Sequence, residues 1–135
     1  MIRTRGSNNS CSKQGGRVKD VDRVVLHLKR FRFQATTEAE FQNSIAEALG
    51  REFTFRREVR LSSQDRIDFL LDNGVGIEVK IKGTAAAAEK QLRRYAKSEQ
   101  VKALVLVTSR SQVAVQPSSI DGKSVRMVIF YGGLL

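Results

Sequence analysis

The sequence predicts a mixed α/β fold (mixed α+β) built on one central sheet with strands of both directions. Three observations predict it. A helix pattern begins at Thr36, three strand patterns with hairpin-length links follow it, and a second helix then leads into a continuous apolar run at 102–108. A helix between two strands of one sheet is a crossover, so the run at 102–108 should lie parallel to the strand before that helix. The expected order from residue 36 is α-β-β-β-α-β.

Three segments differ in how clearly the sequence specifies a helix. In VDRVVLHLKRFRF (21–33) the apolar residues fit a helical stripe, whereas the β-branched and aromatic enrichment favours a strand, and we expect a strand. TTEAEFQNSIAEALG (36–50) predicts a helix, with a Thr cap, acids in the first turn and a terminating Gly50. TAAAAEKQLRRYAKSEQ (84–100) predicts the second helix because it consists mostly of good helix formers.

The strand patterns are short and are bounded by turn residues. FTFRREVRL (53–61) alternates polar and apolar residues, and the polar turn SSQD follows it. The remaining expected strands are RIDFLL (66–71) and VGIEVKI (75–81) joined through DNG, KALVLVT (102–108), QVAV (112–115) and SVRMVIFY (124–131).

Composition and charge limit the class of protein. The 135 residues suit one domain, which we place at 20–135, behind a flexible basic arm at 1–19 that has almost no apolar residues. The net charge is +10, and residues 1–34 carry nine Lys and Arg against two Asp. This balance favours an anionic partner, of which nucleic acid is the commonest, although a solvated tail has the same composition.

Two absences bear on the expected compartment. No apolar run approaches the roughly 20 residues of a membrane helix, and the start lacks the apolar core of a secretory signal. The lone Cys11 has no partner for an internal disulfide. We therefore expect a cytoplasmic protein that does not contact membranes.

Three charged residues interrupt the two strand patterns of RIDFLLDNGVGIEVKIKG (66–83), and charges inside sheets are costly unless they are paired or bind a ligand. Side chains alternate along a strand, so Glu78 and Lys80 share a face. A two-residue turn would place Asp68 on the opposite face. A loop of three residues (73–75) or five (72–76) would pair Asp68 with Lys80 and leave it diagonal to Glu78, on the same face. We expect the odd loop.

Such a patch has the groups that a hydrolytic centre needs. Asp68 and Glu78 offer hard oxygen ligands suited to Mg²⁺, and Lys80 could hold an attacking water or offset charge on a phosphate. A solvated ladder of ion pairs is the alternative explanation for Glu-x-Lys. Glu38 lies on the apolar stripe of the first helix, where it could reach the sheet or could favour the helix dipole.

The second helix adds further polar groups. Gln91 and Tyr95 are four residues apart and share a helix face, which is also common for a half-buried helix. Arg94 points elsewhere and suits phosphate.

In this order and spacing, TEAEF, RID, IEVK and QLRRY resemble the motifs of the PD-(D/E)xK nuclease superfamily, in its RecB-like branch with a QxxxY helix motif. The resemblance spans residues 36–108 and implies a restriction-endonuclease-like αβββαβ core, a DNA substrate and Mg²⁺- or Mn²⁺-dependent phosphodiester hydrolysis. It implies metal binding by Asp68, Glu78, Glu38 and the Val79 carbonyl, catalysis by Lys80, and site bracing or DNA contact by Gln91, Tyr95, Arg66 and Arg94. Ile67 replaces the proline of the family pattern.

Two other functions compete with a nuclease. A non-catalytic nucleic-acid-binding module with the same fold would explain the charge, but it would need no carboxylates facing a polyanion. A component of a larger assembly, or a homodimer, would suit the modest size.

Overall fold

The computed structural model describes residues 20–33, 36–109, 115 and 117–130, which form three helices and one six-stranded sheet. The first helix, α1, covers residues 20–29, and the other elements follow it in chain order: α2 (Glu38–Leu49), β1 (Phe55–Arg60), β2 (Arg66–Leu71), β3 (Val75–Lys80), α3 (Ala85–Tyr95), β4 (Ala103–Thr108), β5 (Ser119–Ile120) and β6 (Lys123–Ile129). The expected order α-β-β-β-α-β is confirmed from α2 to β4, and the fold belongs to the mixed α+β class.

The sheet has the strand order β1-β2-β3-β4-β6-β5 and mixes strand directions. The pairs β1–β2, β2–β3 and β5–β6 are antiparallel, whereas β4 lies parallel to both β3 and β6. The parallel pairing of β3 and β4 confirms the predicted crossover through α3. All six residues of β4 are buried, as its unbroken apolar run predicted for a strand covered on both faces.

The strand predicted within residues 21–33 is wrong, because residues 20–29 are helical. Val21, Val24 and Leu28 are fully buried at helical spacing. Tertiary packing of this stripe outweighs the β propensity of the valines, which is a weak preference of about 1 kcal/mol in total range. The predicted arm at 1–19 and the first three residues of QVAV lie outside the described residues, and Val115 is not in a strand.

Helices cover both faces of the sheet. On one face α1 and α2 pack on Phe69, Ile77 and Val105, and on the other face α3 packs on Leu104 and Leu106. The helices α2 and α3 begin as their sequences predict, since the hydroxyls of Thr37 and Thr84 accept the amide protons of Glu40 and Ala87. Within the described ranges, no helix has the length and apolar character that crossing a membrane requires.

The turn between β2 and β3 has three residues, 72–74, in agreement with the predicted odd loop length. Its position differs from the prediction. Phe69 pairs with Ile77 and Leu70 with Gly76, so the register places Asp68 opposite Glu78 instead of opposite Lys80. Gly74 fixes this turn. It has a φ of 90°, and a Cβ there would lie 2.2 Å from the Lys102 side chain, so this last turn position requires glycine.

The β1–β2 hairpin changes face halfway along its length. Arg57 lies over the Phe69 ring on the α2 side, whereas Val59 and its partner Ile67 belong to the cluster on the α3 side. Residues two apart on a regular strand share a face, so the strand turns over between these pairs. Glu58 makes the change in β1, since its φ is 52°, in the left-handed region.

Candidate active site

The carboxylates of Asp68 and Glu78 replace backbone hydrogen bonds between β2 and β3. The paired register ends at Phe69 and Ile77. Beyond it, the Val79 amide donates to Oδ2 of Asp68 at 2.8 Å, and the Asp68 amide donates to Oε1 of Glu78 at 3.4 Å. The two strands are therefore joined here by side chains, and the two acids lie next to each other where the ladder opens.

The face change of the hairpin creates this opening. Ile67 turns to the α3 side and lies over β3, where a Cβ on Gly76 would be 2.6 Å from its Cδ1 atom. A side chain at position 76 would therefore collide with Ile67. The glycine in GIEVK lets the end of β2 rotate, and the rotation brings Asp68 towards the Val79 amide.

The helix α3 supports Glu78 through Tyr95. The Tyr95 hydroxyl lies 3.1 Å from Oε1 of Glu78 and 2.9 Å from the backbone oxygen of Arg66, and the Gln91 amide donates to it at 2.7 Å. Tyr95 is fully buried. Gln91 and Tyr95 therefore contact each other, as their spacing of four predicts, and they bind both the acid and the strand that carries Asp68.

Lys80 lies beside Glu78 at the more exposed end of the site. Its Nζ atom is 3.6 Å from Oε2 of Glu78, and its side chain is 28% exposed against 6% for Glu78. The ammonium group therefore reaches solvent while it still faces the buried acid. The structure brings Asp68, Glu78 and Lys80 together on one patch.

Burial makes it costly to ionise both acids. It raises the pKa of Glu78 to about 8, with a further contribution from the Asp68 charge, and raises the pKa of Asp68 to about 6. Lys80 opposes both shifts.

The Tyr95 hydroxyl has one proton and two acceptors within reach. It accepts from the Gln91 amide and can donate to Oε1 of Glu78 or to the Arg66 carbonyl. Donation to Glu78 stabilises the ionised carboxylate and so opposes part of the rise in pKa that burial causes.

Two further acids act on Asp68 through their charge. Glu58 and Glu38 both raise the pKa of Asp68, and Glu58 has the larger effect. Glu38 was predicted from the sequence, whereas Glu58 was not. The alternating pattern of β1 gave no reason to select Glu58, because its left-handed backbone is not visible in the sequence.

The other predicted residues take supporting positions. The guanidinium of Arg94 binds Asp65 at 2.8 Å and so ties α3 to the β1–β2 loop. That of Arg66 lies 3.8 Å from Glu58. The amide and carbonyl of one strand residue point to the same edge, so the Val79 carbonyl faces β2 as its amide does.

The acid pair suits a hard divalent cation. Two adjacent carboxylates with raised pKa values are stabilised in their ionised form by a positive charge between them, and Mg²⁺ takes one or two carboxylates while keeping several waters. Within the part of the chain that the structure describes, no three His, Cys, Asp or Glu side chains converge closely enough to form a larger cluster. Asp68 and Glu78 are thus the residues that would hold the ion.

The structure thus places two acids, Glu78 buried and Asp68 half-buried, with a lysine and a buried tyrosine where the ladder between two strands opens. Comparison of the chain with protein-family models, curated proteins and solved structures finds no match.

Proposed function

We propose that this chain is a metal-dependent DNA nuclease of the PD-(D/E)xK type, with a restriction-endonuclease-like core formed by α2, β1, β2, β3, α3 and β4. One observation carries the proposal: Asp68 and Glu78 meet where the ladder between two strands opens, with Lys80 beside them. Two adjacent acids with raised pKa values are common at functional sites, because fold stability alone does not require them.

Each residue has a role that its position supports. Asp68 and Glu78 hold Mg²⁺ or Mn²⁺, with the Val79 carbonyl on the same edge, and Glu38 adds negative charge nearby. The bound ion supplies Lewis acidity to a phosphate and lowers the pKa of a water. Lys80 positions that water or offsets charge on the phosphate. Tyr95 and Gln91 fix the orientation of Glu78.

DNA is the substrate that the charge favours. The net charge of +10 attracts a polyanion, and the exposed Arg66 and Arg94 side chains lie on β2 and α3, each with a carboxylate partner that DNA phosphates would have to replace. A binding module would gain nothing from two adjacent acids with raised pKa values at its DNA surface. The arrangement of Asp68, Glu78 and Lys80 therefore favours cleavage over binding alone.

Cleavage assays with Mg²⁺ on plasmid, linear and branched DNA test the proposal. The variants are Asp68→Asn and Lys80→Ala. Their controls are Asp121→Asn and Lys97→Ala, which remove the same charges at exposed positions that make none of the contacts described for the acid pair. We expect the first two to lose activity by about 100-fold or more while they still bind DNA, because an electrostatic group at a reacting centre contributes about 3 kcal/mol or more. The two control variants should cut as the wild type does.

The nuclease assignment is wrong if all these proteins cut alike, or if none cuts any substrate. DNA binding by the wild type without cleavage would support the alternative of a binding module. Absence of both binding and cleavage would favour an assembly component.

A further inference from the structure

Glu58 occupies the position opposite Asp68 on the edge strand β1. Arg57 pairs with Phe69 and Val59 pairs with Ile67, so the residue between them faces Asp68 in the register. Its φ of 52° is uncommon for a residue other than glycine and costs about 1–2 kcal/mol.

The register aligns three acids at one level of the sheet. Glu58, Asp68 and Glu78 follow one another across β1, β2 and β3, at a strand spacing of about 4.8 Å. Their surroundings differ. Glu78 has a 6% exposed side chain, whereas that of Glu58 is 49% exposed. Glu58 is thus far more exposed than Glu78, and its side chain makes a contact that neither acid of the pair makes.

That contact is the guanidinium of Arg66, at 3.8 Å. Arg66 lies two residues before Asp68 on β2, about 7 Å away along the strand, a distance that an arginine side chain can span. Guanidinium groups bind carboxylates in a fork geometry and remain charged at all working pH values. Arg66 could therefore pair with Asp68 and compete with a cation for it, and Glu58 offers it another carboxylate.

We propose that Glu58 is a positioning residue that neutralises Arg66 and so leaves the Asp68 carboxylate open to a divalent cation. The proposal rests on the proposed function, because it assumes that Asp68 holds the ion. It also explains why an acid stands at a left-handed position of β1: the turned backbone places the Glu58 carboxylate beside Arg66. The charge of Glu58 reaches Asp68 as well, and the experiment separates that direct effect from the effect through Arg66.

The test measures Mn²⁺ binding by calorimetry in four proteins: the wild type, Glu58→Gln, Arg66→Gln and the double variant. We expect Glu58→Gln to weaken Mn²⁺ binding by about 5- to 10-fold, the range of a modest coupling between charged sites. In the Arg66→Gln background, the same change should alter the affinity less than twofold.

Two results would overturn the proposal. Equal weakening by Glu58→Gln in both backgrounds would show that Glu58 acts on the ion directly. No weakening in either background would show that it has no part in the site. Thermal unfolding without metal controls for misfolding, and Glu58→Asp should recover part of the affinity, which a backbone role alone does not predict.

The Mn²⁺ binding experiment distinguishes a failure of this proposal from a failure of the proposed function. If the wild type binds Mn²⁺, Asp68→Asn abolishes binding and Glu58→Gln has no effect, only the role of Glu58 is refuted. If the wild type binds no Mn²⁺, both are refuted. A crystal structure of the Glu58→Gln variant gives a test without metal, in which Arg66 should contact Asp68; an Arg66 side chain in its original place would contradict the mechanism.

Discussion

Replacing Glu78 with glutamine should make the metal-free protein more stable at neutral and alkaline pH. Burial and the nearby Asp68 charge disfavour the ionised carboxylate, whereas the amide has a similar shape and no charge. Glutamine also keeps an oxygen that can accept a hydrogen bond from Tyr95. The variant therefore removes the electrostatic cost and retains much of the packing.

The sign and size follow from the pKa of Glu78, which rises from 4.5 to about 8 on folding. Between these values the folded protein keeps a proton that the unfolded chain has lost, so the free energy of unfolding falls as pH rises. The contribution of the protonated Glu78 to the free energy of unfolding is fully present below pH 4.5 and is lost progressively between pH 4.5 and about pH 8. At 1.36 kcal/mol per pH unit, the total loss is on the order of 5 kcal/mol, of which about 3 kcal/mol has occurred by pH 7.

Urea denaturation with a chelator, from pH 5 to pH 9, measures this effect. The wild-type curve should fall relative to the Glu78→Gln curve by about 1.4 kcal/mol per pH unit at first, by about half that slope at pH 8, and the two should run nearly parallel by about pH 9. Titrating groups that do not interact with Glu78 cancel in the difference, whereas its interaction with Asp68 is part of the measured effect. A difference that does not change with pH would refute the argument that Glu78 is buried without adequate compensation for its charge.

Three further outcomes are expected. Tyr95→Phe removes a buried hydroxyl bound to Glu78 and should lower the free energy of unfolding by about 1–3 kcal/mol in urea denaturation; an unchanged midpoint would contradict the network. Gly76→Ala should cost about 1–3 kcal/mol by thermal or urea unfolding, and Ile67→Val should recover part of it by removing the colliding Cδ1 atom; additive losses would contradict that collision. Deleting residues 1–19, which carry five Lys and Arg and no acid, should weaken DNA binding and flatten its salt dependence, as measured by titration at several salt concentrations; an unchanged slope would exclude the arm from the interface.

The sequence predicts the middle of the fold well because its signals there are strong and local. Thr caps, strand alternation and an unbroken apolar run specify α2, α3 and β4 without reference to the rest of the chain. The first helix was missed for a physical reason. The spacing of Val21, Val24 and Val25 fits a helix whereas their β-branched side chains favour a strand, and the partners that bury Val21 and Val24 decide between the two.

The sequence predicted which residues form the core of the candidate site, but not how the two strands that carry them are paired. Alternation alone places Glu78 and Lys80 on one face, and an odd loop adds Asp68. The register differs by two residues from the predicted one because the turn covers 72–74, with Gly74 at its end in a left-handed conformation and against Lys102, and neither feature follows from strand alternation. The left-handed backbone of Glu58 cannot be read from the sequence. Glu58, which raises the pKa of Asp68 more than Glu38 does, was therefore not predicted as a site residue.

The hydrogen bond from the Val79 amide to Asp68 gives the site a built-in spectroscopic probe. An amide proton that points at a carboxylate changes its chemical shift when that carboxylate gains a proton or a ligand. Val79 lies on a fully buried part of β3, so its signal should stay sharp and exchange slowly with solvent. In a ¹⁵N spectrum, one backbone resonance therefore follows the occupancy of the acid pair during a Mg²⁺ titration, without any change to the side chains of the site.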